Sequence, residues 1–343
     1  MKKETTLREF FIGIDVSKLH FDAALMIKEN HLQGPIATEC FENDPNGLKR
    51  FDKWLKSAGV TRDEHTLLVI ENTGIYHRLI WQFCAQKNIR ISIGNAAHIK
   101  WSLGIVRGKS DKADSIRLCT YAAKEAHSLK AAPVPDVTIL KLKDLSTSRT
   151  RLLSHLAANK KYVRELNNIN DKQTQQMMEK VHKDAINGLT KSIQVIEAEI
   201  KAIIRKDEAM KTNYDLLITV PGIGHVTAVY IICCTANFAS RPSGKQLACY
   251  AGLAPFGNQS GTSIKGKPKV HKMANKELKR LLYMGARAAV QSNAEFKQYY
   301  ERKKAEGKHD LAVINAIKNK MLLRAVAVVN NGKPYVDKHK IAA

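Results

Sequence analysis

The chain has 343 residues, 44% of them hydrophobic and 26% charged, which is enough for two modest domains with a real core. Lys and Arg number 56 against 32 Asp and Glu, a net charge of +24, so a polyanionic partner is expected, most often nucleic acid. The six cysteines form no C-x-x-C pair and no apolar run approaches the ~18 residues of a membrane span, so zinc ribbons, thioredoxin-type redox motifs and membrane helices are excluded.

The first residues, "MKKETTLREF", lack an apolar core segment, so no signal peptide is expected and the thiols read as reduced and cytoplasmic. "FFIGID" and "FDAALMI" then read as two strands joined by the turn "VSKLH". "NGLKRFDKWLKSAG" and "YHRLIWQFCAQKN" carry apolar residues at helical spacing, and between them "LLVIEN" reads as a buried strand. "RISIGN" is a further short strand, and the alternation predicts an α/β domain over residues 1–135.

"AAPVPD" breaks the pattern. Beyond it Leu142, Leu145, Leu152, Leu156, Val163 and Leu166 follow heptad spacing, interrupted by Arg149 and Asn159. Ile186, Leu189, Ile193, Ile196, Ile200 and Ile203 repeat without a break. The spacing predicts two helices over residues 136–210, forming an antiparallel hairpin or coiled-coil arm, or else packing on the main body. From residue 211 onward the chain reads as a third, mostly helical region. There "VPGIGH" sits between apolar helical stretches like the turn of a helix-hairpin-helix element. In such a turn the backbone N–H groups of Gly222 and Gly224 can approach a nucleic-acid phosphate, although a plain tight turn has the same sequence. "QLACYAGLAPFGNQSGTSIKGKPK" reads as a Gly-, Ser- and Lys-rich loop, and helices follow to the end. From Arg241 to Ala343 there are 21 Lys and Arg against six Asp and Glu. The densest stretch contains Lys265, Lys267, Lys269, Lys272, Lys276, Lys279 and Arg280, the candidate nucleic-acid contacts.

Four acids are candidates for chemistry. Asp15 ends the first strand, Glu71 ends "LLVIE", and Asp111 and Asp114 are three apart in "GKSDKADSIRL", on one face of a helix. Strand ends lie on the rim of a sheet, where a neighbouring helix can bring its own acids. Four clustered carboxylates repel one another unless a cation joins them. Mg²⁺ or Mn²⁺ prefers such oxygen ligands, and two ions can stabilise both oxygens of a phosphoryl transfer. Taken singly, Asp15 could cap a turn, Glu71 could begin a loop and Asp111 could cap its helix.

"GIDVSK", "IENTGIY" and "VRGKSDKADSIRLC", with "VPGIG" and "AGLAPFGNQSGTSIKGKPK" downstream, resemble the DEDD transposases of bacterial insertion sequences. That family includes Piv-type DNA invertases and bridge-RNA-guided recombinases. The resemblance covers nearly the whole chain. It implies a RuvC-like, ribonuclease H-like α/β domain whose acids are Asp15, Glu71, Asp111 and Asp114. A helical coiled-coil insertion and a mostly α-helical C-terminal transposase domain would follow. The family's nucleophilic serine falls by position on Ser260, with Ser263 the second choice, and His271 departs from the smaller or polar residue expected there. The same resemblance implies a covalent serine–DNA link, two divalent cations per site, a structured non-coding RNA and a homodimer or homotetramer, acting on donor and target DNA at the bacterial nucleoid. A Holliday-junction-type nuclease on the same fold, hydrolysing DNA without a serine, is the enzymatic alternative. A non-catalytic nucleic-acid-binding protein is the other. Sugar kinases and actin-like ATPases also open with a "GID" strand, but they need Gly-rich phosphate loops absent here.

Overall fold

A computed structural model describes residues 7–104, 110–168, 171–260, 264–270 and 273–337. The chain divides into two compact units, Met1–Pro135 and Asp136–Ala343.

The first unit is built on a mixed five-stranded sheet. Strands β1 (Arg8–Val16), β2 (His20–Glu29) and β3 (Leu32–Glu42) form an antiparallel meander. Strands β4 (Thr66–Glu71) and β5 (Arg90–Gly94) join parallel to β1, giving the order β3-β2-β1-β4-β5. β3 is an element the sequence pattern did not announce. Its residues are mostly exposed, it contains Gly34 and Pro35, and it lies on the sheet edge, where a proline costs no ladder hydrogen bond. Asn30 and His31 between β2 and β3 both have positive φ, as a two-residue hairpin turn of this hand requires.

Period-two alternation divides the core of this unit. Phe10, Ile12, Ile14 and Val16 of β1 face helices α1 (Pro45–Ser57) and α2 (Arg78–Gln86), meeting Phe51, Leu55, Ile80 and Phe83. Phe11 faces the other way. With Ala24, Met26, Leu67 and Val69 it packs against Leu118, Cys119 and Ala122 of helix α4 (Asp111–Glu125). A short helix α3 (Ala96–Ser102) precedes α4. Gly13 brings α4 unusually close: a Cβ there would lie 2.0 Å from the Cys119 backbone N and 2.3 Å from the Ser115 carbonyl oxygen. Cys119 Sγ also donates to the Phe11 carbonyl oxygen at 3.1 Å.

The second unit is helical apart from one hairpin. Asp136, inside the "AAPVPD" break, caps helix α5 (Val137–Asn167) by accepting from the backbone N–H groups of Thr138 and Ile139. Helix α6 (Lys172–Lys206) returns antiparallel. The two polar interruptions of the first heptad run find partners across the pair. Arg149 Nε donates to Glu197 at 2.8 Å, and Asn159 Oδ1 lies 3.1 Å from His182 Nδ1. Such pairs fix register where apolar contacts alone would allow slippage. The roots of both helices, Ile139, Leu142, Ile200 and Ile204, enter the main core. That core is otherwise formed by α7 (Glu208–Ile218), α8 (His225–Thr235), α9 (Gly244–Tyr250), α10 (Lys276–Ser292), α11 (Ala294–Ala305) and α12 (Asp310–Asn331).

The stretch read as a Gly-, Ser- and Lys-rich loop is ordered differently. Its start forms α9, closed by a capping box between Ser243 and Gln246. Its remainder forms an antiparallel hairpin, β6 (Pro255–Ser260) and β7 (Ile264–Val270), with a bulge between Phe256 and Asn258. A hairpin of such polar sequence lacks the apolar alternation that marks strands. Among the described residues no helix is long and apolar enough to cross a membrane.

Candidate functional site

Sheet parity decides which acids can meet. Asp15 lies on the α4 side of β1 with Phe11 and Gly13, and Glu71 lies on the same side of β4 with Leu67 and Val69. Helix α4 runs over that face because Gly13 leaves room for its backbone. Ser110 caps α4, its hydroxyl accepting from the Ala113 N–H at 3.2 Å, and Asp111 and Asp114 follow in the first turn. Carboxylates in a first turn are also favoured by the helix dipole. Asp15, Glu71 and Asp114 line one cavity of about 430 Å³, together with Lys100 and Arg117.

Electrostatics report the same convergence. The Asp15 carboxyl is pushed up to about 6, first by burial and then by the negative charges of Asp111, Asp114 and Glu71. A hydrogen bond from the Val16 backbone N–H opposes that rise. Asp114 itself accepts a close ion-paired hydrogen bond from Arg117. So the four candidate acids share one electrostatic field. They do not yet share a coordination shell: among the described residues, no three His, Cys, Asp or Glu side chains stand at the spacing of ligands to one ion. The donor set nevertheless fits a hard divalent cation. It consists of carboxylate oxygens, it is partly desolvated, and it carries mutual repulsion that a cation would relieve.

A fifth acid belongs to this neighbourhood and was missed by the pattern of the sequence. Asp22 lies directly opposite Asp15 across the β1–β2 ladder. Burial and the Asp111 charge push its carboxyl above the ordinary carboxylate range, while a hydrogen bond from Cys40, its neighbour on β3, pulls the other way. Its signal in "HFDAAL" was only its parity with Asp15 once the turn between them is counted.

The remaining candidates lie in the second unit. Ser260 closes β6 and pairs in register with Ile264, so it stands beside the tip of the hairpin. Ser263 lies outside the described residues, as do His271 and Lys272. Lys265, Lys267 and Lys269 occupy alternate positions of β7. Lys276, Lys279 and Arg280 lie in the first turns of α10, which Asn275 caps. Arg280 is held by Glu277 at 2.6 Å.

The two hairpin-turn glycines differ. Gly222 has φ +84°, and a Cβ there would lie 2.6 Å from the Gly285 carbonyl oxygen of α10. Its bareness thus serves close packing on α10, a role the expectation of a phosphate contact did not include. Gly224 is exposed at the start of α8, with open space around it and no side-chain cap on the helix.

Two family models match the chain. A DEDD transposase model covers residues 12–167, and the IS116/IS110/IS902 transposase family model covers residues 214–301. The chain is 30% identical over 334 residues to the pilin gene-inverting protein of Moraxella bovis, spanning 95% of this chain and 97% of that protein. It is 31% identical over 140 residues to an uncharacterized 43.6 kDa protein of insertion element IS110 from Streptomyces coelicolor, spanning 41% of this chain and 33% of that protein. Among solved structures it is similar to T. thermophilus RuvC in complex with a Holliday junction substrate, at 11% identity and a TM-score of 0.28, covering 36% of this chain and 99% of RuvC. Matches to both halves of one transposase architecture, and a relative aligned from end to end, place the chain in the IS110-type DEDD transposase family of DNA recombinases.

Proposed function

We propose that Asp15, Glu71, Asp111 and Asp114 of a RuvC-like domain hold divalent cations, Mg²⁺ or Mn²⁺, two per site, and that Ser260 is the nucleophile of DNA strand exchange. The observation that carries this reading is the raised Asp15 carboxyl, which feels three acids from two other segments of the chain. Acids unrelated in function would not be gathered at such electrostatic cost.

In this reading the Ser260 hydroxyl oxygen bonds to a DNA phosphorus as the bond to one deoxyribose oxygen breaks, and the serine proton ends on that departing oxygen, which leaves as a DNA hydroxyl. The chain is then joined to DNA by a phosphodiester, and attack by a DNA hydroxyl restores the serine. Bound cations supply Lewis-acid stabilisation of the charge that builds on the phosphate oxygens. Lys265, Lys267 and Lys269 neutralise nearby phosphates, and so do Lys272, Lys276, Lys279 and Arg280 along the strand. The excess of basic residues supports a second polyanion, a structured non-coding RNA that selects donor and target. The long α5–α6 pair, a coiled-coil arm in this reading, supports a homodimer or homotetramer, acting at the bacterial nucleoid.

Ser260→Ala tests the nucleophile. Recombination and covalent capture of DNA are lost while the protein still binds DNA; retained strand cutting would instead point to a hydrolytic, Holliday-junction-type nuclease. Asp15→Asn abolishes recombination with binding intact, and unchanged recombination would remove the metal role of Asp15.

A further inference from the structure

Lys318 is a lysine in the wrong place for a surface charge. It lies on α12 in "AVINAIKNKMLLRAVAVV", flanked by the fully buried Ile314, Ile317, Met321 and Leu322, and is only 6% exposed. Lysines are almost never buried to this degree without a counter-charge. Its ammonium lies 5.9 Å from the centre of the Tyr283 ring, a weak contact. The charge nearest to it in effect is that of Lys279, one turn before Tyr283 on α10, and it repels.

The acids of this neighbourhood are already engaged. Glu277 holds Arg280, and Asp310 holds Arg287 and accepts from Tyr300. Among the described residues no carboxylate joins Lys279 or Lys318, and burial with the Lys279 charge pushes the Lys318 ammonium down to about 8. Lys279, one turn before Tyr283, thus adds its positive charge to that of Lys318, and among the described residues neither is ion-paired with a carboxylate.

Their surroundings are built rather than incidental. Lys279 Nζ lies 3.7 Å from where a Cβ of Gly252 would stand, so it sits against the turn after α9. Gly252, at φ +64°, packs so tightly on Ala274 that a Cβ would come within 2.3 Å of the Ala274 Cβ. From α12, Asn315 Nδ2 donates to the Leu253 carbonyl oxygen at 3.0 Å, one turn before Lys318. The turn at Gly252 and Leu253 leads directly into β6 and its Ser260, and Ala274 precedes α10. The lysine pair thus lies at the root of the hairpin that carries the proposed nucleophile.

We propose that Lys318 and Lys279 together form a binding site for one phosphodiester phosphate of bound nucleic acid. The missing counter-charge is then the ligand's: a phosphate accepts from both ammonium groups and removes the repulsion between them. The placement rests on the nucleic-acid reading above but not on the identity of the nucleophile or of the metal ligands. DNA and RNA offer the same phosphate chemistry, and the test separates them.

The full-length chain and its Lys318→Met and Lys279→Ala variants are titrated with a short DNA duplex and, separately, with an RNA hairpin of matched length, over a series of salt concentrations. For the nucleic acid that occupies the site, each variant binds at least about threefold more weakly, and the slope of log affinity against log salt falls by about 0.9. The nucleic acid whose slope changes is the source of the phosphate. Without nucleic acid, Lys318→Met melts no lower than the wild type, because methionine fills the same space without a buried charge. A lysine kept only for packing gives the opposite result, and wild-type affinity and slope of both variants on both nucleic acids would overturn the site. Recombination by Asp15→Asn and Ser260→Ala is a separate readout, so failure of either proposal is visible without the other.

Discussion

At the scale of single residues, Asp15 is the most informative group. Its carboxyl sits at about 6 against an ordinary value of 3.8, so the folded chain holds that proton more tightly than the unfolded chain. The resulting stabilisation is complete below the unfolded value and is lost as pH rises through 6. Asp22, raised by burial and by Asp111, pulls in the same direction. With a chelator present, the melting temperature of the wild type therefore declines from about pH 5 to about pH 7.5, and Asp15→Asn at the upper pH melts higher than the wild type. Mg²⁺ restores the wild type and does little for the variant. A wild-type melting curve indifferent to both pH and Mg²⁺ would show that these acids do not form a cation site. Asp15, Glu71, Asp111 and Asp114 were legible in the sequence because an acid ending an apolar strand, or an acid pair three apart, breaks an expected pattern. Asp22 was not, because one acid among strand residues is ordinary until the ladder sets it opposite Asp15. Lys318 was hidden for a similar reason: a basic residue within a helix is unremarkable, and only the packing of α12 reveals that it is buried.

At the scale of elements, the critical junction is β1 against α4. Nothing but the missing side chain of Gly13 permits that approach, since a methyl group would overlap backbone atoms of Ser115, Leu118 and Cys119. Backbone cannot rotate aside as a side chain can. Gly13→Ala therefore destabilises the first unit by at least about 2 kcal/mol and shifts the first turn of α4, with Asp111 and Asp114, away from Asp15. Thermal unfolding reads the first effect. The second shows as a recombination loss that persists at temperatures where the variant is fully folded. Wild-type stability in this variant would mean that α4 does not rest on Gly13. Most elements of the sheet were readable from apolar runs and their helical intervals. β3 and the β6–β7 hairpin were not. One is a mostly exposed edge strand containing a proline, and the other is strongly polar in sequence, so neither shows the apolar alternation that marks a buried strand. The hairpin matters most, because it turns a nominal loop serine into a residue held in register beside a tip.

At the scale of the whole molecule, the α5–α6 pair is the element without an obvious purpose in a single chain. Its roots are anchored, through Leu142, Ile193, Ile200 and Ile204, but between residues 143 and 192 none of the described residues is fully buried. Leu152, Leu156, Val163 and Ile186 are only half-covered, while Tyr162, Met177 and Val181 are exposed. Two helices of 31 and 35 residues that bury so little gain little from each other, since helical stability in proteins comes mainly from packing of an apolar face. The Arg149–Glu197 and Asn159–His182 contacts fix register more than they add stability. An arm of this kind is stabilised if another copy of the chain covers its seam. The deletion that tests this must spare the roots, because removing Leu142, Ile200 and Ile204 would open the core of the second unit. Replacing residues 153–189 by a short Gly-Ser turn keeps Arg149 with Glu197 and leaves that core intact. The shortened chain melts within a few degrees of the wild type but has a lower mass in solution by light scattering, and it recombines DNA poorly although both proposed catalytic sets remain. If the shortened chain assembled to the same mass as the wild type, the arm would have no part in oligomerisation, and its length would need a different partner, such as the nucleic acid itself.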